Sequence, residues 1–157
     1  MIVAAQCAVQ NPAYKSSPPL HLLLVSPPEN MVKVAAWLWA GPWTLVGLVL
    51  GAAGLFTGGR VQRRCGILEF WGGAVDWLLA RCPIRPLAIT LGHVVLGQGP
   101  AALEACRAHE LVHVRQYERW GPLFVPAYLA CSAVIWLRGG DAYLDNPFER
   151  EAFAAAP

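Results

Sequence analysis

The sequence predicts an α+β fold in which one N-terminal transmembrane helix precedes a small folded unit. An uncharged run at 34–56 is long enough to cross a bilayer, and strand-like and helix-like patterns follow it. The composition agrees, because 56% of the 157 residues are hydrophobic, 14% are charged and the mean hydropathy is +0.42, which is too apolar for an ordinary soluble domain. We therefore expect an arm at 1–30, a membrane anchor at 31–58 and a folded unit at 59–157.

The arm at 1–30 differs from the rest of the chain in its prolines. No helical or strand period survives them, so we expect this segment to be disordered. It does not fit a secretory signal, because its apolar patch at 20–25 is too short. A start of translation at Met31 is the alternative, since Met31 and Lys33 come directly before the long apolar run. The prolines are Pro12, Pro18, Pro19, Pro27 and Pro28.

The apolar run at 34–56 predicts one transmembrane helix. At about 1.5 Å per residue it can cross a hydrocarbon core about 30 Å thick. Pro42 either kinks its first turns or marks the true start of the helix. Two sets of residues have a typical membrane role: tryptophans at the headgroup boundary (Trp37, Trp39, Trp43) and small residues that would let a second helix approach closely (Gly47, Gly51, Gly54).

The distribution of positive charge predicts the orientation of this helix. Lys33 is the cation on its near side, whereas five arginines follow it, at Arg60, Arg63, Arg64, Arg81 and Arg85. Because positively charged flanks stay inside, we place everything after residue 56 in the cytoplasm. The formal net charge of +2, without a basic run interleaved with aromatics, argues against a nucleic-acid partner.

The first part of the folded unit predicts a short β-sheet. Residues 60–71 alternate around Cys65 and Gly66, which predicts a β-hairpin, and residues 74–80 predict a short helix. The β-branched run at 87–96 predicts one strand. His93 lies in that run, where it either faces a cleft or bonds to the backbone.

Three helical segments follow. Pro100 opens a helix that continues through 108–120. The uncharged segment 122–137 is too short for a 30 Å core and contains Pro126, so we expect a buried or re-entrant helix there rather than a second crossing. Pro147 opens the last helix, with Asp145 or Asn146 as its cap.

Within 108–120, His109, Glu110 and His113 form the pattern H-E-x-x-H. Residues four apart lie on one face of a helix, so both imidazoles can aim at one zinc ion. Glu110 lies beside the first ligand, where its carboxylate can reach a metal-bound water and act as general base. A catalytic zinc site needs a third protein ligand, and Glu149 and Glu151 are the available carboxylates of the last helix.

Together the two motifs resemble the gluzincin metallopeptidases, in particular the membrane-associated kind that includes the prenyl-protein and heat-shock-type proteases. In that family a second helix carries the third ligand as the glutamate of E-x-x-A, commonly followed by an aspartate. Residues 149–152 read E-R-E-A, which puts Glu149 in the ligand place, and Phe153 stands where the acid is common. The resemblance covers two short motifs within 100–153. It implies a small metallopeptidase-like unit, in which a strand before the H-E-x-x-H helix borders the cleft and an extended peptide can add to its edge.

The function predicted from these features is a zinc-dependent, membrane-anchored endopeptidase that acts on a protein or peptide, with membrane lipid as its other partner. His109, His113 and Glu149 would hold zinc, and Glu110 would take the proton of the attacking water. Tyr143, His93 and Arg150 are the candidate oxyanion donors. The alternative is a non-catalytic membrane protein with a degenerate or structural metal site, which Phe153 and the small size of the chain favour. A third reading is a chance motif in a plain membrane anchor.

Overall fold

The computed structural model describes residues 29–82 and 84–156, and for 29–33 it describes the backbone alone. The predicted arm at 1–30 lies outside these residues, except that the first helix begins at Glu29. The described residues form a mixed α+β fold with one four-stranded sheet. In chain order the elements are α1 (Glu29–Trp39), α2 (Gly41–Phe56), β1 (Arg60–Arg64), β2 (Ile67–Trp71), α3 (Ala74–Arg81), β3 (Ala88–Leu91), β4 (Val94–Gly97), α4 (Pro100–Trp120), a 3₁₀ turn (Gly121–Leu123), α5 (Phe124–Leu137) and α6 (Pro147–Ala155).

The apolar run at 34–56 forms two helices, so the prediction of one continuous helix was wrong. The chain breaks at Ala40, and Pro42 lies in the first turn of α2. Proline is common at this position because a backbone N–H there would have no partner within the helix, so the absence of an N–H in proline costs no hydrogen bond. The interpretation of Pro42 as a helix start is therefore confirmed. Helix α2 has 16 residues and is about 24 Å long, less than the roughly 30 Å of a hydrocarbon core.

The glycine stripe of α2 contacts the sheet rather than a second helix. A Cβ added at Gly47 would lie 2.7 Å from the Cβ of Val94, and one at Gly51 would lie 2.7 Å from ring atoms of Phe70. The small residues therefore let the helix backbone lie directly on β2 and β4. The opposite face of α2 is apolar and exposed, with Phe56 91% exposed.

The sheet has the strand order β1-β2-β4-β3. Strands β1 and β2 form the predicted antiparallel hairpin, and β2 pairs with β4 in parallel. The single strand predicted at 87–96 was wrong, because β3 and β4 form a second hairpin. Its turn is Gly92-His93, and Gly92 has a φ of 62°, which fits a two-residue turn with glycine in the first position. The strand order leaves β3 at the edge of the sheet.

Helices cover both faces of the sheet. Helix α4 packs on one face through a core cluster of Ile67, Ala88, Val95, Leu103 and Val114. Helices α2 and α3 cover the other face, where the cluster is Phe70, Val75, Leu79, Val94 and Leu96. The short helix predicted at 74–80 is confirmed as α3. The sheet therefore supports α4, the helix that carries H-E-x-x-H, through this packed face.

Helix α5 is mostly exposed, so of the two alternatives expected at 122–137 the buried helix was wrong, and the re-entrant helix stays a prediction. Phe124 is its one buried residue, whereas Trp136 is 69% exposed. By length and composition, Pro100–Leu137 is the one helical stretch in the described part of the chain that could cross a membrane. All of its charged residues lie before Gly121. The apolar part of the stretch is therefore the 3₁₀ turn and α5, after which the chain turns back and α6 packs on α4.

Candidate metal centre

Helix α4 brings the two predicted histidine ligands together. His109 and His113 lie one turn apart, and their Nε2 atoms are 3.1 Å from each other. His109 is partly buried and His113 is buried. Two ring nitrogens at this distance can share one cation, as the i, i+4 spacing predicted.

Helix α6 brings the predicted carboxylate to the same point. Asn146 caps this helix by accepting a hydrogen bond from the Phe148 N–H at 3.0 Å, so the cap is Asn146 rather than Asp145. Glu149 Oε2 lies 3.2 Å from His109 Nε2, and Glu149 Oε1 lies 3.5 Å from His113 Nε2. Glu151, the other carboxylate considered, instead contacts Arg119 and Gln116.

His109, His113 and Glu149 form a group that could hold a metal ion, because their ligand atoms all lie within 4.8 Å of one another. The carboxylate shows how well this group suits a cation. Glu149 Oε2 is buried and makes no hydrogen bond. A buried carboxylate oxygen without a hydrogen bond is costly, and a cation between the three side chains would satisfy it. Two imidazoles and one carboxylate are ligands that zinc accepts.

The electrostatics of Glu149 also favour cation binding. Burial alone would raise the pKa of this carboxyl group, but the imidazoles of His109 and His113 beside it lower the pKa to about 2. Glu149 is therefore ionised at neutral pH and supplies a negative charge where the three ligands meet.

Glu110 lies in the same cavity but not among the three ligands. Its Oε2 accepts a hydrogen bond of 2.5 Å from Thr90 Oγ1 on the edge strand. Burial raises the pKa of Glu110, and the hydrogen bond from Thr90 opposes that rise. A raised pKa brings a carboxylate closer to neutral pH, which suits a group that must accept and release a proton.

Three supporting residues were not predicted. Gln116 Oε1 accepts a hydrogen bond of 2.8 Å from His113 Nδ1, and Tyr128 Oη donates one of 2.8 Å to Glu149 Oε1. Thr90 is the third. Gln116 follows His113 by three residues, a local spacing that could have indicated it, whereas Thr90 and Tyr128 come from other elements and carry no such signal.

Phe153 stands at the position where an acidic residue is common in the gluzincins, and its ring contacts His109. Its ring lies 4.7 Å from that of His109, centroid to centroid. The support of the group therefore comes from Gln116 and Tyr128, and Phe153 packs against the first histidine without a hydrogen bond.

The candidate oxyanion donors occupy different places. Tyr143 lines the cavity, and burial together with the nearby Glu149 carboxylate raises the pKa of its hydroxyl. His93 lies in the β3–β4 turn, where its ring stacks on Trp37 and its Nε2 is 3.1 Å from Glu118 Oε1. Arg150 is exposed on α6 and does not line the cavity. Of the three, Tyr143 is the one at the site.

The cavity in front of this group has a volume of about 280 Å³ and a mostly apolar lining. The edge strand β3 forms one wall, and α5 forms another through Phe124, Val125 and Leu129. His109, Glu110, His113 and Glu149 face into it. The edge strand, the three residues that could hold a metal ion and Glu110 therefore border one cavity.

No protein-family model, curated protein or solved structure matches this chain. The geometry of the described residues therefore carries the functional assignment.

Proposed function

We propose that this protein is a zinc-dependent endopeptidase bound to a membrane. The observation that carries the proposal is the convergence of His109, His113 and Glu149 in a cavity that also holds Glu110. Two histidines and one glutamate are a donor set of catalytic zinc sites, which keep one coordination position open. A bound zinc ion would polarise a peptide carbonyl and lower the pKa of a water molecule, so that this water could lose a proton and attack the carbonyl carbon.

Glu110 is the general base of the proposed reaction. It takes a proton from the attacking water and passes a proton to the leaving amine. The hydrogen bond from Thr90 holds one oxygen of Glu110, so the carboxylate enters the reaction in a defined orientation. Tyr143 is the donor available to a developing oxyanion, because it lines the same cavity.

The open edge of β3 supports a peptide as substrate. The Leu87 carbonyl accepts from the Gln98 N–H across the hairpin, so the backbone groups of Ala88 and Thr90 point away from β4. The Thr90 carbonyl is already taken by Tyr117 Oη at 3.1 Å. The remaining groups can pair with an extended peptide. We propose apolar side chains in this peptide, because among the described residues no lysine or arginine lines the cavity to meet an acidic one.

The exposed apolar helix surfaces support membrane binding. The outward faces of α2 and α5 carry large hydrophobic side chains and no charged residue. A bilayer would remove both faces from water. The arginines that follow α2 favour the cytoplasmic side for the site.

One observation favours a second candidate function, a non-catalytic membrane protein with a structural metal site. Phe153 puts an apolar ring against His109, where a carboxylate would make a metal ligand more basic. Under this alternative the group binds zinc, and no peptide is cleaved.

The substitution Glu110→Gln tests the proposal and separates the two functions. Detergent-purified wild-type protein should contain about one zinc per chain and cleave an apolar fluorogenic peptide. The Glu110→Gln variant should keep its zinc, and its cleavage rate should be roughly 100- to 10,000-fold lower. Glu104→Gln is the matched control, because Glu104 lies on the same helix and is exposed. His109→Ala and Glu149→Ala should lose the zinc. Zinc without any cleavage in the wild type would support the structural alternative, and cleavage that survives Glu110→Gln would exclude Glu110 as the base.

A further inference from the structure

Gln116 is a fully buried polar residue at the junction between the two ligand-bearing helices. It is 0% exposed, and all of its described hydrogen bonds go to α4 or α6. Its Oε1 accepts from His113 Nδ1 at 2.8 Å. Its Nε2 donates to the carbonyl of Phe148 and to Glu151 Oε2, both at 3.0 Å.

These contacts determine which end of the Gln116 amide is the nitrogen. A carbonyl oxygen and a carboxylate oxygen only accept hydrogen bonds, so the NH₂ group must face Phe148 and Glu151. The amide oxygen therefore faces His113. An amide oxygen also only accepts, so the proton of a neutral His113 lies on Nδ1 and its Nε2 carries the free lone pair.

We propose that Gln116 is a positioning residue of the metal site. It fixes the Nδ1-protonated form of His113, and it holds the first turn of α6 where Glu149 can reach His113. The proposal rests on the proposed zinc site and adds a residue to it. Free Nε2 of His113 is the atom that faces Glu149 and His109. Phe148 directly precedes Glu149, so the bond to its carbonyl ties the carboxylate ligand to the same amide.

In many zinc sites the ligand histidine donates the N–H of its other ring nitrogen to a carboxylate. In the proposed site the neutral amide of Gln116 would accept that hydrogen bond instead. A carboxylate at 116 would face the Phe148 carbonyl and Glu151 with a second acceptor, whereas the NH₂ group bonds both. One side chain can therefore orient a ligand on α4 and anchor the ligand on α6.

Three single variants of the full chain in detergent test this role. Gln116→Met keeps the size of the side chain but removes the acceptor, and should weaken zinc binding about 10- to 100-fold in competition with a chromophoric chelator. Gln116→Glu keeps an acceptor for Nδ1 and should bind zinc more tightly than Gln116→Met, although it destabilises the fold. Glu151→Gln is the matched control, because it alters the other partner of the same amide, and should stay within about threefold of the wild type.

The tautomer supplies a readout that does not depend on metal. In metal-free protein at alkaline pH, ¹⁵N NMR of the His113 ring should show the proton on Nδ1 in the wild type, and a mixture of both forms in Gln116→Met. A wild-type proton on Nε2 would overturn the proposal. So would zinc binding by Gln116→Met within threefold of the wild type, or a loss in Gln116→Glu as large as that in Gln116→Met. A wild type that binds no zinc but shows the Nδ1 proton would refute the proposed function and leave the positioning of His113 by Gln116 supported.

Discussion

Thr90 and Glu110 show how one hydroxyl can orient the carboxylate that we propose as the general base. The hydroxyl donates to Glu110 Oε2 at 2.5 Å, and the Thr90 carbonyl is itself held by Tyr117. Because Thr90 lies on β3, the edge strand proposed to bind substrate also orients the proposed base. A change of this hydroxyl should therefore affect the rate of cleavage while leaving the metal ligands in place.

We expect Thr90→Val to lower kcat about 10-fold or more, because a base that is free to turn spends less time in reach of the proton. Zinc content should stay unchanged, since the hydrogen bonds described for Thr90 go to Glu110 and Tyr117 and not to the three proposed ligands. Thr90→Ser keeps the hydroxyl and should retain most of the rate. Steady-state cleavage of a fluorogenic peptide and metal analysis measure both effects. Loss of zinc in Thr90→Val would show that the hydroxyl supports the metal group instead.

At the scale of single residues, the sequence indicated the three residues that could hold a metal ion but not the residues that support them. His109 and His113 are close because helix geometry is local, and Glu149 could be located because Asn146 and Pro147 mark the start of a helix. Thr90 and Tyr128 reach Glu110 and Glu149 from 20 and 21 residues away in the chain. Their roles depend on how a hairpin and α5 pack, which no local pattern reports.

Helix α2 depends on its glycines for contact with the sheet. A leucine at Gly51 would place its Cβ 2.7 Å from ring atoms of Phe70, which is buried in the core. We expect Gly51→Leu to cost about 1–3 kcal/mol of unfolding free energy, as overpacked core positions do. Gly41→Ala is the control, because nothing lies within 4 Å of an added Cβ there.

Thermal unfolding in detergent measures this difference, and a loss of 1 kcal/mol lowers Tm by roughly 2–4 °C in a chain of this size. If the stripe instead served to bind a second helix, Gly51→Leu would change the oligomeric state without lowering the Tm of the monomer.

Helix α4 is joined to the sheet by an ion pair on the face opposite to α2. Arg107 donates to both oxygens of Glu69 on β2, at 2.7 and 3.2 Å, and Glu69 is 1% exposed. Arg107→Met would leave this carboxylate buried without its cation, so we expect a loss of about 3–5 kcal/mol in unfolding free energy. Denaturant unfolding gives this value. Glu104→Gln removes the exposed partner of the same arginine and should change little; equal effects of the two variants would contradict the assigned role of Glu69.

The errors at the scale of elements have a common cause, which is tertiary packing. Residues 87–96 have the composition of one strand, yet Gly92 allows a turn of two residues that divides them into two strands. Only the four residues of β4 pair with β2. The apolar run at 34–56 has the composition of a membrane helix. Its small residues instead contact the sheet, and Pro42 starts a second helix. Composition predicted how apolar each segment is, but not what it contacts.

At the scale of the whole molecule, the site and the apolar helix surfaces belong to one arrangement. Leu129 lines the cavity and is 59% exposed, so the mouth of the cavity continues into the exposed apolar face of α5. The convergence of His109, His113 and Glu149 places all three on the same side of any bilayer, although the apolar helix α5 lies between them in sequence. Under the proposed membrane-bound function, a substrate that reaches the cavity across α5 would arrive from the surface of the membrane.

Membrane binding through α2 can be tested by charging its outward face. Leu45 and Val49 lie one turn apart, opposite the glycine stripe, and are 63% and 61% exposed. The double variant Leu45→Lys, Val49→Lys should keep its fold, because neither side chain is in a core cluster. Lysine in the apolar part of a bilayer costs several kcal/mol, so binding to phosphatidylcholine vesicles should fall at least about tenfold.

Ala101 and Ala105 supply the matched control, because they are also exposed and one turn apart, on α4. Ala101→Lys with Ala105→Lys adds the same charge to a helix that already carries charged residues, and should leave vesicle binding unchanged. Co-sedimentation with neutral vesicles measures both variants, since neutral lipid removes any attraction of lysine to anionic headgroups. Equal binding of the α2 variant and the wild type would show that the outward face of α2 does not enter the bilayer. Membrane attachment would then have to come from another apolar surface, of which α5, the apolar end of the stretch Pro100–Leu137, is one in the described part of the chain.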